Sequence, residues 1–251
     1  MRAKLMIQRI ITITAIIVFV YSVYKLVPPL YDYYTNRKVL ETVQEIYKPT
    51  QNVDNGNKET AIRSSFDPLL EINQDMVGWI TVDDTKINYP ILQSSDNEFY
   101  LTRNYKKEET RAGSLFLDYR NDKKLENNKN TIIYGHRMKD GTMFSGLKKY
   151  LDKAFFEKHK TIHLDSLYEG YELEVFSVYQ TTTDFYYIET EFSSDNEYLD
   201  FVDLLEEKSL YEADMDIKPE DSIVTLSTCD YAIDSLEGRL VVHAKLVKRG
   251  S

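Results

Sequence analysis

Ser222-Ile223-Val224-Thr225-Leu226-Ser227-Thr228-Cys229 and, starting ten positions after its cysteine, Arg239-Leu240-Val241-Val242-His243-Ala244-Lys245-Leu246-Val247 are two runs rich in β-branched and aliphatic residues. Both read as strands. In the second, Arg239, Val241, His243 and Lys245 share one face, and Leu240, Val242, Ala244 and Leu246 take the other. Cys229 and Arg239 then stand at the adjoining ends of two strands, a thiol beside a permanent cation. A thiol attacks acyl carbon as thiolate, so it needs a proton acceptor and local positive charge.

Further strand signals lie upstream at Val77 to Val82, Ile87 to Gln93, Ser114 to Asp118 and Thr131 to His136, separated by Asp-, Ser- and Gly-bearing turns. Ile162 with Leu164, and Tyr171, Leu173 and Val175 alternating with Glu172 and Glu174, predict two more half-buried strands. Helical spacing interrupts them. Asp67-Pro68 predicts a helix start with a capping carboxylate; Phe144, Leu147, Tyr150, Leu151 and Phe155 predict an amphipathic helix. Ser194-Asp195-Asn196-Glu197 has capping-box form ahead of Tyr198, Leu199, Phe201, Val202, Leu204 and Leu205. Short strands without a repeating βαβ rhythm indicate a mostly β fold, barrel or sandwich.

The chain has 251 residues, with 42% hydrophobic and 29% charged, within the globular range. Its single cysteine excludes an internal disulfide and is either a small buried hydrophobe or a reactive group. Residues 1–27 carry Arg2, Lys4, Arg9 and Lys25 and no acid, so the net charge of −10 leaves −14 on the remainder. An acidic body without a basic tract does not suit nucleic acid. Ile10 to Tyr24 is almost unbroken apolar sequence that extends to Val27, close to the roughly 20 residues that cross a bilayer. The basic residues before it predict a cytoplasmic amino terminus. The run ends in Tyr21, Tyr24, Leu26 and Val27 rather than a small-x-small cleavage site, so an uncleaved signal anchor through residues 5–27 is expected. Val39, Leu40, Val43, Ile46 and Tyr47 predict a juxtamembrane helix over Tyr31 to Tyr47, and residues 48–65 read as a linker. The expected division is 1–27 anchor, 28–65 juxtamembrane helix and linker, and 66–251 catalytic domain.

Four histidines are available to Cys229. His159 sits among Glu157, Lys158 and Lys160 and His163 points out from a strand, so both read as solvated surface residues. His243 reads as a satisfied strand histidine or a group supporting Arg239. His136 closes the Thr131-Ile132-Ile133-Tyr134-Gly135-His136 run beside a glycine, where a side chain can project over a groove, and is the candidate base. No metal or cofactor is expected: there is no HExxH, no clustered Cys/His spacing and no glycine-rich phosphate loop.

Thr225-Leu226-Ser227-Thr228-Cys229, Tyr134-Gly135-His136 and Gly238-Arg239-Leu240-Val241-Val242, taken together and behind a signal anchor, resemble the signature of the sortases, membrane-anchored cysteine transpeptidases of Gram-positive bacteria. The serine within TLSTC, the run from Tyr134 to Phe144 and the helix near residues 194–209 resemble class B, and the similarity extends from about Phe66 to Lys248. The resemblance implies an eight-stranded β-barrel with amino-terminal helices and a helix inserted before the cysteine strand. It implies Cys229, His136 and Arg239 as catalytic residues. The implied partners are secreted proteins with a carboxy-terminal sorting motif and an amine from a cell-wall peptide or lipid-linked peptidoglycan precursor. The implied setting is a single-pass protein of the cell membrane whose catalytic domain faces the wall. Two other readings are a secreted thiol endopeptidase that hydrolyses its acyl intermediate and a non-enzymatic, membrane-tethered adhesin with a buried Cys229.

Overall fold

The computed structural model describes residues 2–48, 62–230, 232–234 and 236–250. Most of the predicted linker, residues 49–61, lies outside the described residues. Among those described, the strands are β1 (Met76–Thr81), β2 (Asn88–Leu92), β3 (Leu115–Leu117), β4 (Asn130–Tyr134), β5 (Thr161–Ser166), β6 (Gly170–Thr182), β7 (Ile223–Cys229) and β8 (Gly238–Lys248). They close into a barrel in the order β1-β2-β3-β4-β7-β8-β6-β5, with β5 returning to β1. The pairs β2–β3 and β4–β7 are parallel and the others antiparallel. Closure removes the exposed edges that an open sheet of this size would have to protect. The helices around the barrel are α1 (Arg2–Ile46), α2 (Asp67–Ile72), α3 (Lys153–Lys158) and α4 (Asp195–Glu207).

The two-residue period of β7 and β8 sorts their side chains between two cores. Val224, Leu226, Leu240, Val242 and Ala244 fill the barrel interior. Ile223 and Val241 turn outward and are covered by Phe176, Tyr179 and the buried face of α4, which supplies Tyr198, Val202 and Leu205. That helix starts as its sequence predicts: Ser194 Oγ accepts from Glu197 N–H at 3.2 Å, while the Glu197 carboxylate accepts from Ser193 N–H at 2.7 Å, one residue earlier than in an ideal box.

Two helix expectations need correction. The amphipathic run from Phe144 is not one helix but a 3-10 segment, Phe144–Leu151, followed by α3. Asp152 divides them: it is extended (φ −93°, ψ 126°) and its carboxylate accepts from Phe155 N–H at 2.9 Å, so it caps a new helix instead of continuing the old one. At α2, Asp67 is the first helical residue, and Phe66 before it makes no side-chain cap. The carboxylate lies in the first turn, where it favours the positive end of the helix without closing a cap.

The amino-terminal helix α1 joins the predicted apolar span and juxtamembrane helix into one element, with Pro28 and Pro29 inside it. It is long and apolar enough to cross a membrane, and the most apolar stretch is unburied. Its far end belongs to the body: Val39, Leu40, Val43 and the following Tyr47 are buried. The Tyr47 ring stacks on Trp79 with centroids 4.1 Å apart. Its hydroxyl donates to Asp165 Oδ2 at 2.8 Å, while Arg63 Nη1 donates to Oδ1 of the same carboxylate at 2.7 Å. Tyr47→Ala removes the stack and the hydroxyl bond together. Amide exchange over residues 39–47 is expected to accelerate while the barrel strands stay protected; unchanged exchange there means the helix docks without this side chain.

Candidate active site

Antiparallel register sets Cys229, the last residue of β7, directly opposite Arg239 in β8. Opposed residues in such a pair have Cβ atoms about 5 Å apart, so thiol and guanidinium stem leave the same face side by side. Gly238 makes that register possible, because a Cβ on it would collide with the Asp230 carbonyl oxygen.

Parallel pairing of β4 with β7 brings the third group. Tyr134 stands opposite Ser227, Gly135 N–H donates to Ser227 O at 3.2 Å, and the chain then turns away from β4 at His136. Gly135 is required by space, because a Cβ there would collide with Leu115 Cδ2 and lie 2.8 Å from Phe144 Cδ2. The half-buried imidazole is hydrogen-bonded to the Cys229 side chain. Its Nε2 lies 2.8 Å from the Leu101 carbonyl oxygen. A carbonyl only accepts, so Nε2 carries hydrogen and the neutral ring keeps its lone pair on Nδ1. The bond to Cys229 raises the His136 pKa above its ordinary value, burial opposes the rise and the Leu101 carbonyl adds to it. A raised value means that the charged ring favours the folded state. That contribution is complete below about pH 6.5 and is lost as pH rises through the folded value.

Arg239 Nη1 donates to the carbonyls of Gly238 at 2.9 Å and Leu236 at 3.1 Å. The buried Tyr187 hydroxyl of the β6–β7 connection lies 2.8 Å from Ser227 Oγ; burial raises its pKa, and the Ser227 bond and the nearby Arg239 charge oppose the rise. The guanidinium is thus tied to its own turn and stands beside a buried tyrosine.

Several residues that hold this site escape the sequence reading. Asp230, only 1% exposed, accepts from Arg137 Nη1, from Gln180 Nε2 and, at 3.0 Å, from Ala232 N–H. Burial alone would raise its pKa, but those bonds and the Arg137 charge bring it below the ordinary carboxylate value. The residue after the histidine is thereby clasped to the residue after the cysteine. The only sequence signal is adjacency: Arg137 directly follows one candidate catalytic group and Asp230 the other, with opposite charges.

The other histidines lie elsewhere. His243 is fully buried, with Nδ1 2.9 Å from Thr225 Oγ1 and Nε2 2.8 Å from the Tyr179 hydroxyl. Thr225 Oγ1 donates onward to Asn130 Oδ1 at 2.7 Å, which leaves it to accept from His243 Nδ1–H. Burial lowers the His243 pKa to about 3, so it is a neutral structural group, in line with the satisfied strand histidine expected. His159 corrects its reading as a solvated residue. It is buried, stacked on Phe155 with ring centroids 3.9 Å apart, and its Nε2 lies 2.9 Å from Asp84 Oδ2 in the β1–β2 turn. His163 is partly exposed, 3.9 Å from Asp83 Oδ2. Among the described residues no group of three His, Cys, Asp or Glu is arranged to hold a metal ion.

A β-barrel carrying a cysteine, a histidine and an arginine at one strand end finds its counterpart in known proteins. Residues 80–247 match the Sortase domain family. The chain is 44% identical to sortase B of Listeria monocytogenes over 99% of its length and all of that protein, and 38% identical to sortase B of Staphylococcus aureus over 99% of its length and 98% of that one. A crystal structure of sortase B from Bacillus anthracis superposes with a TM-score of 0.78 at 57% identity, covering 88% of this chain and all of that one. The S. aureus sortase B–substrate complex superposes with a TM-score of 0.76 at 40% identity, covering 86% and 98%. The chain belongs to the sortase family and within it groups with the B type. It is a cysteine transpeptidase with the closed barrel that the resemblance implied.

The His136–Cys229 bond has a spectroscopic consequence. Titration of the His136 ring by NMR is expected to give a value above about 6.5, and Cys229→Ala is expected to lower it, since burial then opposes protonation with its main support gone. A value that does not move on loss of the sulfur removes the coupling.

Proposed function

We propose that this transpeptidase cleaves a sorting pentapeptide after its threonine through a thioester on Cys229, and transfers the acyl group to an amine of a cell-wall peptide or its lipid-linked precursor. The observation that carries the reading is the hydrogen bond between His136 and Cys229 at the strand end where Arg239 stands opposite. His136 takes the thiol proton at Nδ1 while Nε2–H stays on the Leu101 carbonyl. The thiolate attacks the threonine carbonyl, and the imidazolium protonates the departing amine. The neutral ring then accepts a proton from the incoming amine as it displaces the sulfur. Arg239 stabilises the developing oxyanion with a permanently charged planar donor set that lysine cannot reproduce.

Complexes of relatives support the partner classes proposed here. S. aureus sortase B has been crystallised as a substrate complex, and a further sortase B structure is a complex with triglycine. A peptide donor and a glycine-type amine acceptor fit the same two half-reactions here. The anchor completes the setting: residues 5–27 cross the membrane once with the amino terminus in the cytoplasm, residues 28–65 connect, and residues 66–251 form the catalytic domain outside, facing the wall. Arg2, Lys4 and Arg9 ahead of the apolar run support that orientation.

Cys229→Ala is expected to abolish cleavage of a panel of threonine-containing sorting pentapeptides while the near-ultraviolet circular dichroism of the barrel persists; turnover without the sulfur removes the nucleophile assignment. Arg239→Lys is expected to lose about 100-fold or more in kcat, and near-normal kinetics would mean that planar donor geometry is irrelevant. Adding triglycine to the wild-type reaction is expected to divert product from acid to amide. A product that remains the acid at every triglycine concentration favours the thiol endopeptidase reading.

A further inference from the structure

Asp118, just past the end of β3, is a completely buried carboxylate with an unusual number of donors. Arg120 presents a fork to it, Nε to Oδ1 and Nη2 to Oδ2, each at 2.9 Å, and the Arg120 backbone N–H adds a third bond at 2.9 Å. Tyr134 Oη donates at 2.9 Å and Asn97 Nδ2 at 3.0 Å. Burial would raise the Asp118 pKa, but these donors and the guanidinium charge hold it below the ordinary carboxylate value. The donors come from separate walls of the active site. Tyr134 is two residues before His136 on β4, and Asn97 lies in the connection that later supplies the Leu101 carbonyl to His136.

The remaining capacity of Arg120 goes to the β6–β7 connection. Nη2 donates to the Ile188 carbonyl at 3.0 Å, and Nη1 to the Tyr186 hydroxyl at 3.3 Å. Those residues flank Tyr187, whose buried hydroxyl bonds to Ser227 Oγ at 2.8 Å and stands beside the Arg239 charge. One guanidinium therefore grips both chain neighbours of the tyrosine that stands beside Arg239, and is itself fixed to the barrel by a buried carboxylate. A lysine cannot replace it: a compact ammonium cannot complete a fork to Asp118 and reach two further acceptors on another segment.

We propose that the Asp118–Arg120 pair is a positioning device that latches residues 186–188 to the barrel and so sets where Tyr187 places the Arg239 guanidinium. This inference rests on the reading of Arg239 given under Proposed function. Arg120 contacts no reacting atom in it. Its effect passes through Tyr187, whereas the Cys229–His136 pair is held by Leu101 and by the Arg137–Asp230 clasp.

The test is a double-mutant cycle in the full-length chain reconstituted in nanodiscs, with Arg120→Lys, Tyr187→Phe and the double variant. It is read with a fluorogenic threonine-containing pentapeptide that the wild type cleaves. Arg120→Lys is expected to lower kcat/KM by about 10- to 100-fold, the scale on which slight misplacement acts, while the rate and pH profile of Cys229 alkylation by iodoacetamide stay at wild-type values. If Arg120 acts through Tyr187, the double variant loses little more than Tyr187→Phe alone. Additive losses, an Arg120→Lys enzyme with normal kcat/KM, or an alkylation profile displaced along with turnover each overturn the proposal. Breaking one side of a buried ion pair can cost a domain its fold. Should Arg120→Lys lose its near-ultraviolet circular dichroism, Asp118→Asn/Arg120→Gln, which removes both charges together, takes its place in the cycle. Turnover by Cys229→Ala would sink the reading of the site itself; a required Cys229 with an additive cycle would sink only the latch.

Discussion

The pairing of β7 with β8 is the constraint on which the rest of the molecule depends. Its register sets Cys229 across from Arg239, and its alternation decides which side chains enter the barrel and which face out. A slip of one residue would send the sulfur inward and Val241 to the opposite side. Several features guard against that slip. Gly238 admits the Asp230 carbonyl where no Cβ could fit. His243 is tied on one side to Thr225 of β7 and on the other to Tyr179 of β6, so three strands are pinned at one buried neutral ring. The cost of an unpaired polar group at that depth makes the arrangement specific as well as stable.

Around that register the active site is a meeting of strand ends, each supplying one group and fastened to another. His136 follows β4, Cys229 closes β7 and Arg239 opens β8. Arg137 to Asp230 fastens the first to the second, and Tyr187, bonded to Ser227, stands beside the third. The three groups are thus positioned by side chains and carbonyls on ordered barrel elements.

The strands were legible because their residue types alternate between two faces, even where both faces are buried. Leu240, Val242 and Ala244 against Arg239, Val241 and His243 is a pattern that only a strand with two different faces produces. The motif residues were legible because the chain has one cysteine and because glycines at 135 and 238 mark places where backbone and neighbours approach closely. The fastenings were not. In a chain with 41 acids and 31 basic residues, Asp118, Asp165 and Asp230 look like any solvated carboxylate, and only the fold reveals that each is buried under a guanidinium. The division between the 3-10 segment and α3 was hidden for a related reason: apolar spacing continued across Asp152, while a local side-chain bond decided the backbone. His159 was misread because its charged sequence neighbours say nothing about the direction of one ring.

The helix that carries the domain has a further consequence. It continues as one helix from the apolar span through Pro28 and Pro29 to Ile46, and the following Tyr47 fastens its end to the barrel. From Pro28 to Ile46 it rises about 28 Å at ~1.5 Å per residue. With the span seated in a bilayer, a docked helix would keep the barrel close to the membrane face, where a coiled tether would let it sweep a hemisphere.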